Sequence, residues 1–133
     1  MRIVLDTNVL VSAVINPHGK PADILNLVLN GDITACFDDR IIAEYRGVLS
    51  RGAFGFDPGD VSALIGFIEL YGELVNPAPL SIKLDDPGDL MFYEVLASAG
   101  ADFLVTGNTR HFKAATDRRI VTPMQFLEKY FSR

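Results

Sequence analysis

Tryptophan is absent from these 133 residues, cysteine occurs once and histidine twice. Each scarcity closes off a chemistry. A lone Cys36 forms neither an internal disulfide nor a Cys-rich zinc site, and its place in the apolar run "DITACF" makes it a buried structural thiol. His18 sits in a Gly/Pro loop and His111 beside Phe112; neither has a metal-ligand spacing or an evident Ser or Cys nucleophile, so both read as surface or packing residues. Long apolar runs are missing as well. "VLVSAVI" is bracketed by Asp6 and Asn8 on one side and by Asn16-Pro17-His18-Gly19 on the other, well short of the roughly 20 residues that span a membrane. A signal peptide's charged start, continuous apolar core and small-residue cleavage site are lacking too, so the expectation is a cytoplasmic protein with no membrane partner. No GxGxxG or Walker sequence occurs, because the glycines of "RGAFGFDPG" follow a helical pattern rather than a strand. Basic residues are the minority, 12 against 17 acidic for a net charge of −5, which argues against a broad basic surface for nucleic acid. A metal site built of carboxylates would itself contribute negative charge.

What is present is an alternation of short β-branched runs with longer helical patterns. "RIVL" (2–5) reads as a strand, 9–15 as a helix, and Pro21 opens a helix with Ile24, Leu25, Leu27 and Val28 as its buried stripe, stopped at Gly31. "ITACF" (33–37) is a second strand, followed by a helix over 38–51 capped by Asp38 or Asp39, with Ile41, Ile42, Tyr45, Val48 and Leu49 facing inward. Asp57-Pro58 opens another helix with Val61, Leu64, Ile65 and Ile68 on one face; 73–77 is a short strand and "APLSIKL" an extended connector. "DPGDLMFYEVLASAG" is a capped helix ending at Gly100, 102–106 and 118–122 are strands, and Thr122-Pro123 starts the last helix. With no linker or internal repeat, the chain reads as one domain over 1–133. Such alternation implies βαβ units: an α/β fold, with a central, mainly parallel sheet of four to five strands between helical layers. Right-handed crossovers bring the carboxyl ends of the strands to one edge, where ligands bind.

Four separated segments aim oxygen-bearing side chains at that edge. Asp6 follows the first strand, Asn108 follows "FLVTG", Asp89 opens the helix after Pro87-Gly88, and Glu44 lies one to two turns into its helix, at about 1.5 Å rise per residue. Each has an ordinary explanation by itself. Asp6, Asn8 and Asp89 are in N-cap positions, Asn108 and the Asp85-Asp86 pair in turn positions, and Glu44 could pair with Arg40 four residues earlier. Jointly these explanations weaken, because caps need not coincide with the ends of the two best central-strand candidates. Two carboxylates about 5 to 6 Å apart repel by roughly 3 kcal/mol at an effective dielectric near 20. A divalent cation removes the conflict, and an all-oxygen set favours Mg²⁺ or Mn²⁺ over Zn²⁺. Such ions act on phosphate esters, activating water and neutralising charge on the phosphoryl oxygens.

Along essentially its whole length the chain resembles the PIN domain, in particular its VapC-like toxin branch. The resemblance is carried by "VLDTNVLVSAVINPHGKPADIL", "DRIIAEYRGVL", "DPGDLMFYEVLASAGADFLVTGN" and "RRIVTPMQFLEKYF". It implies a three-layer α/β/α sandwich and a metal-dependent endoribonuclease. Asp6, Glu44 and Asp89 would hold Mg²⁺ or Mn²⁺, Asn8 and Thr106 would orient ligands or water, and Asp86 would be an outer acid. Asn108 falls where this family often has Asp. A neutral amide can coordinate a cation or orient water, but it cannot serve as a base. Arg110 and Lys113 are the nearest basic candidates for the RNA backbone. The resemblance also implies a small antitoxin protein as partner, and a homodimer.

Three other readings are weaker. A HAD-like phosphatase would want a second acid two residues after the first, where this chain has Asn8. A receiver-like signalling domain would want an acidic pair after the first strand and a lysine after the last, where it has Asp6-Thr7-Asn8 and Thr122-Pro123. The third is a catalytically weak PIN-fold subunit acting as a partner- or nucleic-acid-binding module, which Asn108 and the acidic balance keep in view.

Overall fold

The computed structural model describes all 133 residues. Five parallel strands form one sheet in the order β3-β2-β1-β4-β5: β1 Arg2–Leu5, β2 Thr34–Phe37, β3 Glu73–Leu74, β4 Phe103–Val105 and β5 Ile120–Val121. Six helices cover it, namely α1 Thr7–Ile15, α2 Lys20–Leu29, α3 Asp39–Leu49, α4 Pro58–Tyr71, α5 Leu90–Ala99 and α6 Pro123–Phe131. The expected α/β/α sandwich is what the chain forms, and its sheet is parallel throughout.

The three central strands explain why. Successive side chains of a strand point to opposite faces, and here both directions are apolar. Val4, Cys36 and Leu104 enter one core with Ile41, Tyr45, Ile65, Phe92 and Val95 from α3, α4 and α5. Ile3, Leu5, Ala35 and Val105 enter the other with Ile24, Val28, Val121 and Phe126, which brings α2 and α6 to the opposite face. A sheet buried on both sides reads as the continuous β-branched runs seen in the sequence.

Several boundaries differ from the sequence reading. Helix α1 begins at Thr7 rather than at residue 9, so Asn8 lies inside it. Strand β3 ends at Leu74 instead of continuing to Pro77; Val75 still donates to the Phe37 carbonyl at 2.7 Å, and Pro77 has no N–H with which to extend the ladder. Residues 87–89 form a separate 3₁₀ turn before α5, and 109–115 form a 3₁₀ stretch that hydrophobic periodicity did not mark. Gly100 ends α5 in the left-handed region, with φ of +61°. Gly72 is required for a different reason: a Cβ there would stand 2.5 Å from the Ile68 carbonyl oxygen and 2.7 Å from that of Ala35.

Strand order places the site. The chain runs from β1 to β2 on one side and reaches β4 on the other side of β1, so the direction of winding reverses between β1 and β4. Leu5 is in register with Val105, and the next residues, Asp6 and Thr106, emerge together at that reversal. Open parallel sheets bind their ligands in the crevice outside such a point.

Candidate functional site

Asp6 stands at the N-cap of α1 but makes no capping hydrogen bond with its side chain. It is buried, its backbone N–H donates to the Val105 carbonyl at 2.9 Å, and its Oδ2 accepts from Thr106 Oγ1 at 2.8 Å. Burial pushes its carboxyl above the usual range, and the charge of Glu44 adds to this; the bonds from Thr106 and the Thr7 backbone and the field of His111 oppose it.

Glu44 does not pair with Arg40. Its Oε2 accepts from Thr7 Oγ1 at 2.5 Å, which ties α3 to the residue directly after Asp6. Arg40 turns the other way, to Asp38 Oδ2 at 2.7 Å and Glu94 Oε1 at 2.8 Å. Glu94, buried on α5 and unmarked in the sequence reading, also accepts from the Leu80 backbone at 2.8 Å. These acids serve structure: Asp38 caps α3 by accepting from Ile41 N–H at 3.0 Å, and Glu94 pins the extended connector. Beside them a cavity of about 420 Å³ is lined by Asp38, Arg40, Asn76 and Glu94, and includes none of Asp6, Glu44, Asp89 and Asn108.

Asp89 repeats the pattern of Asp6. It precedes α5 with no capping bond from its side chain, while Asp86 does the capping by accepting from Gly88 N–H at 2.9 Å. Asp89 is buried, and its Oδ2 has no hydrogen-bond partner. Burial first, then the charges of Asp6 and Asp86, raise its carboxyl to about 6; His111 pulls the other way and Glu44 adds to the rise. The charges of Asp6, Asp89 and Glu44 therefore reach one another, with no Lys or Arg paired to any of them.

The remaining expected residues separate into those that meet the site and those that do not. Asn8 Oδ1 accepts from Gly107 N–H at 3.0 Å, locking α1 to the loop after β4; a Cβ on Gly107 would stand 3.3 Å from that oxygen. Thr106, fully buried, donates to Asp6 and accepts from Asn108 N–H at 3.1 Å. Asn108 Nδ2 lies 2.9 Å from His111 Nε2, and His111 Nδ1 lies 3.4 Å from Asp89 Oδ2. His111 is therefore in the site, where the sequence reading saw surface or packing. The signal was its spacing of three from Asn108, which one turn of 3₁₀ helix brings onto the same side. Arg110 and Lys113 are exposed on the same 3₁₀ stretch and form no ion pair.

No three His, Cys, Asp or Glu side chains are gathered closely enough to hold a metal ion among them. The donors nevertheless suit a hard cation in kind: they are oxygens, they repel one another, and one buried carboxylate oxygen lacks a partner. Mg²⁺ needs no complete protein cage, since it keeps several waters and takes one or two carboxylates. No helix is long and apolar enough to cross a membrane.

Comparison with known proteins agrees with this architecture. The family model described as "PIN domain" matches residues 2–110. No curated protein matches the chain. Among solved structures it is similar to VapBC2 from Rickettsia felis bound to a DNA fragment from their promoter, at 19% identity over 92% of this chain and 97% of that one, with a TM-score of 0.55. It is similar too to VapBC-1 from nontypeable Haemophilus influenzae, at 18% identity, covering 93% and 99%, TM-score 0.61. FitAcB from Neisseria gonorrhoeae matches at 16% identity, covering 92% and 98%, TM-score 0.59. At these identities the likeness is one of fold.

Proposed function

Since the chain belongs to the PIN domain family, we propose that it is a metal-dependent endoribonuclease, a single cytoplasmic nuclease unit over 1–133 and the toxin member of a toxin–antitoxin pair. The observation that carries the reading is the state of Asp6 and Asp89. Both stand at helix starts without capping, both are buried, and neither is paired with a Lys or Arg.

PIN nucleases generally use divalent metal ions. Mg²⁺ or Mn²⁺ at this edge would supply a more acidic bound water and charge neutralisation at the phosphoryl oxygens. Asp6 and Asp89 would hold it directly, and Glu44, held by Thr7, would complete the ligand set directly or through a water. Thr106 fixes Asp6 Oδ2, so its other oxygen would be the one free to hold the ion. Asn108 orients water through its carbonyl oxygen, and Asn8 and Asp86 hold the surrounding loops. Arg110 and Lys113, free of acidic partners, lie against the RNA backbone. The VapBC neighbours support a small antitoxin protein as partner, and a homodimer fits the same kinship.

The test is cleavage of RNA with Mn²⁺ or Mg²⁺, its loss on adding EDTA, and its loss in Asp6→Asn. Equal cleavage by wild type and Asp6→Asn would assign the activity to a contaminant. The amide at Asn108 and the absence of a gathered three-acid group favour a second reading, a catalytically weak subunit that binds a partner or nucleic acid. That reading takes precedence if millimolar Mn²⁺ does not bind.

A further inference from the structure

We propose that His111 is the positioning residue of this site, its ring, when neutral, carrying its one proton on Nδ1 between Asn108 and Asp89. An amide NH₂ can only donate, so Asn108 Nδ2 at 2.9 Å requires Nε2 of the ring to be the acceptor. The single proton of the neutral ring is then on Nδ1, which faces Asp89 Oδ2 at 3.4 Å. That oxygen is buried and makes no hydrogen bond, which leaves it open to this donor. The backbone supports the arrangement, because His111 N–H donates to the Asn108 carbonyl at 3.2 Å and the neighbouring Phe112 is anchored in the core.

A continuous line of contacts results. Asp89 meets His111, His111 accepts from Asn108, Asn108 N–H donates to Thr106, and Thr106 donates to Asp6. The two acids that lack caps are joined through side chains of the loop after β4, and their separation is set by that loop. The amide at 108 acquires a specific purpose. Its NH₂ selects the tautomer, and selecting it turns the Asn108 carbonyl oxygen away from the ring. A carboxylate oxygen has two lone-pair directions, so Asp89 Oδ2 can accept from Nδ1–H and still meet a cation. The tautomer follows from the orientation of the Asn108 amide beside the ring; only its effect on a bound ion rests on the nuclease reading.

The chain has two histidines, and His18 is exposed, which makes it an internal reference. Long-range ¹H–¹⁵N spectra of the metal-free protein near pH ~8.5, where an ordinary imidazole is neutral, read both tautomers at once. The expected result is a protonated Nδ1 and a bare Nε2 for His111, with His18 showing the solution preference for Nε2–H. In Asn108→Ala the His111 pattern should move toward that of His18. An Nε2–H tautomer for His111 in the wild type overturns the proposal, whatever the protein does to RNA. A second measurement separates positioning from bulk. The amide nitrogen of Asn overlays imidazole Nδ1 and the side-chain end of Gln overlays Nε2, so His111→Asn keeps a donor toward Asp89 and His111→Gln does not. Mn²⁺ affinity by calorimetry should fall roughly tenfold in His111→Gln and less than about threefold in His111→Asn. Equal losses would overturn the positioning role. If wild type binds no Mn²⁺, the nuclease reading fails while the tautomer result stands.

Discussion

At the end of β2, Asp38 caps α3 and shares Arg40 with Glu94, so two buried carboxylates have a guanidinium within 2.8 Å. One strand away, at the end of β1, Asp6 caps nothing and no Lys or Arg reaches it. Both aspartates directly follow a parallel strand, both stand at a helix N-cap, and both are buried. The difference is local: the Asp6 side chain makes no capping bond to α1, while Thr106 holds its carboxylate toward β4. The same residue type in the same position thus serves the fold on one side of the edge. On the other it is left crowded and available. Asp86 and Asp89 repeat the contrast three residues apart, the first capping a turn and the second left with an unpartnered oxygen.

The contrast can be broken from either side. The largest effect is expected in Asp6→Asn, which should lower RNA cleavage by at least about a hundredfold in a gel assay with Mn²⁺. Its thermal midpoint should stay level or rise, because a crowded charge is removed. Arg40→Ala should do the reverse. Leaving Asp38 and Glu94 buried without their cation costs about 2 to 3 kcal/mol, the lower part of the range because Arg40 is half exposed, and lowers Tm by roughly 5 to 10 °C. Cleavage per folded molecule should remain within about threefold.

Asp89→Asn sharpens the comparison through pH. With its carboxyl raised to about 6, folded Asp89 retains a proton that the unfolded chain has released between about pH 4 and 6. Its contribution therefore favours folding in acid and is lost as pH rises through about 6. Denaturation by urea should show the metal-free wild type losing stability across that window. Asp89→Asn should be flatter there and more stable at pH 7.5 by on the order of 1 to 2 kcal/mol. The smallest effect is expected for Gly107→Ala, whose Cβ crowds Asn8 Oδ1 at 3.3 Å. It should cost less than about 1 kcal/mol in the same assay, with a modest loss of cleavage as the loop carrying Asn108 shifts.

The layers of the sandwich were legible because β1, β2 and β4 are apolar on both faces, a pattern that a parallel sheet demands. Asp6, Glu44, Asp89 and Asn108 were legible as candidates by their distance from the ends of those strands. Their individual fates were not. Asp6 and Asp38 look alike in sequence, and what separates them is Thr106 in one case and Arg40 in the other, 100 and 2 residues away. Glu94 fell within an ordinary amphipathic pattern, and its burial depends on Arg40 from another helix. The contacts of His111 with Asn108 and Asp89 were not legible, because periodicity at 3.6 residues does not describe a 3₁₀ stretch.

The central claim is that the acids left without caps or a Lys or Arg partner hold a divalent cation. Calorimetric titration of Mn²⁺ into wild type, Asp6→Asn and Arg40→Ala tests it most directly. Binding is predicted in wild type and in folded Arg40→Ala, with a loss of at least about tenfold in Asp6→Asn. Equal binding by wild type and Asp6→Asn, or no binding by wild type at millimolar Mn²⁺, would contradict it.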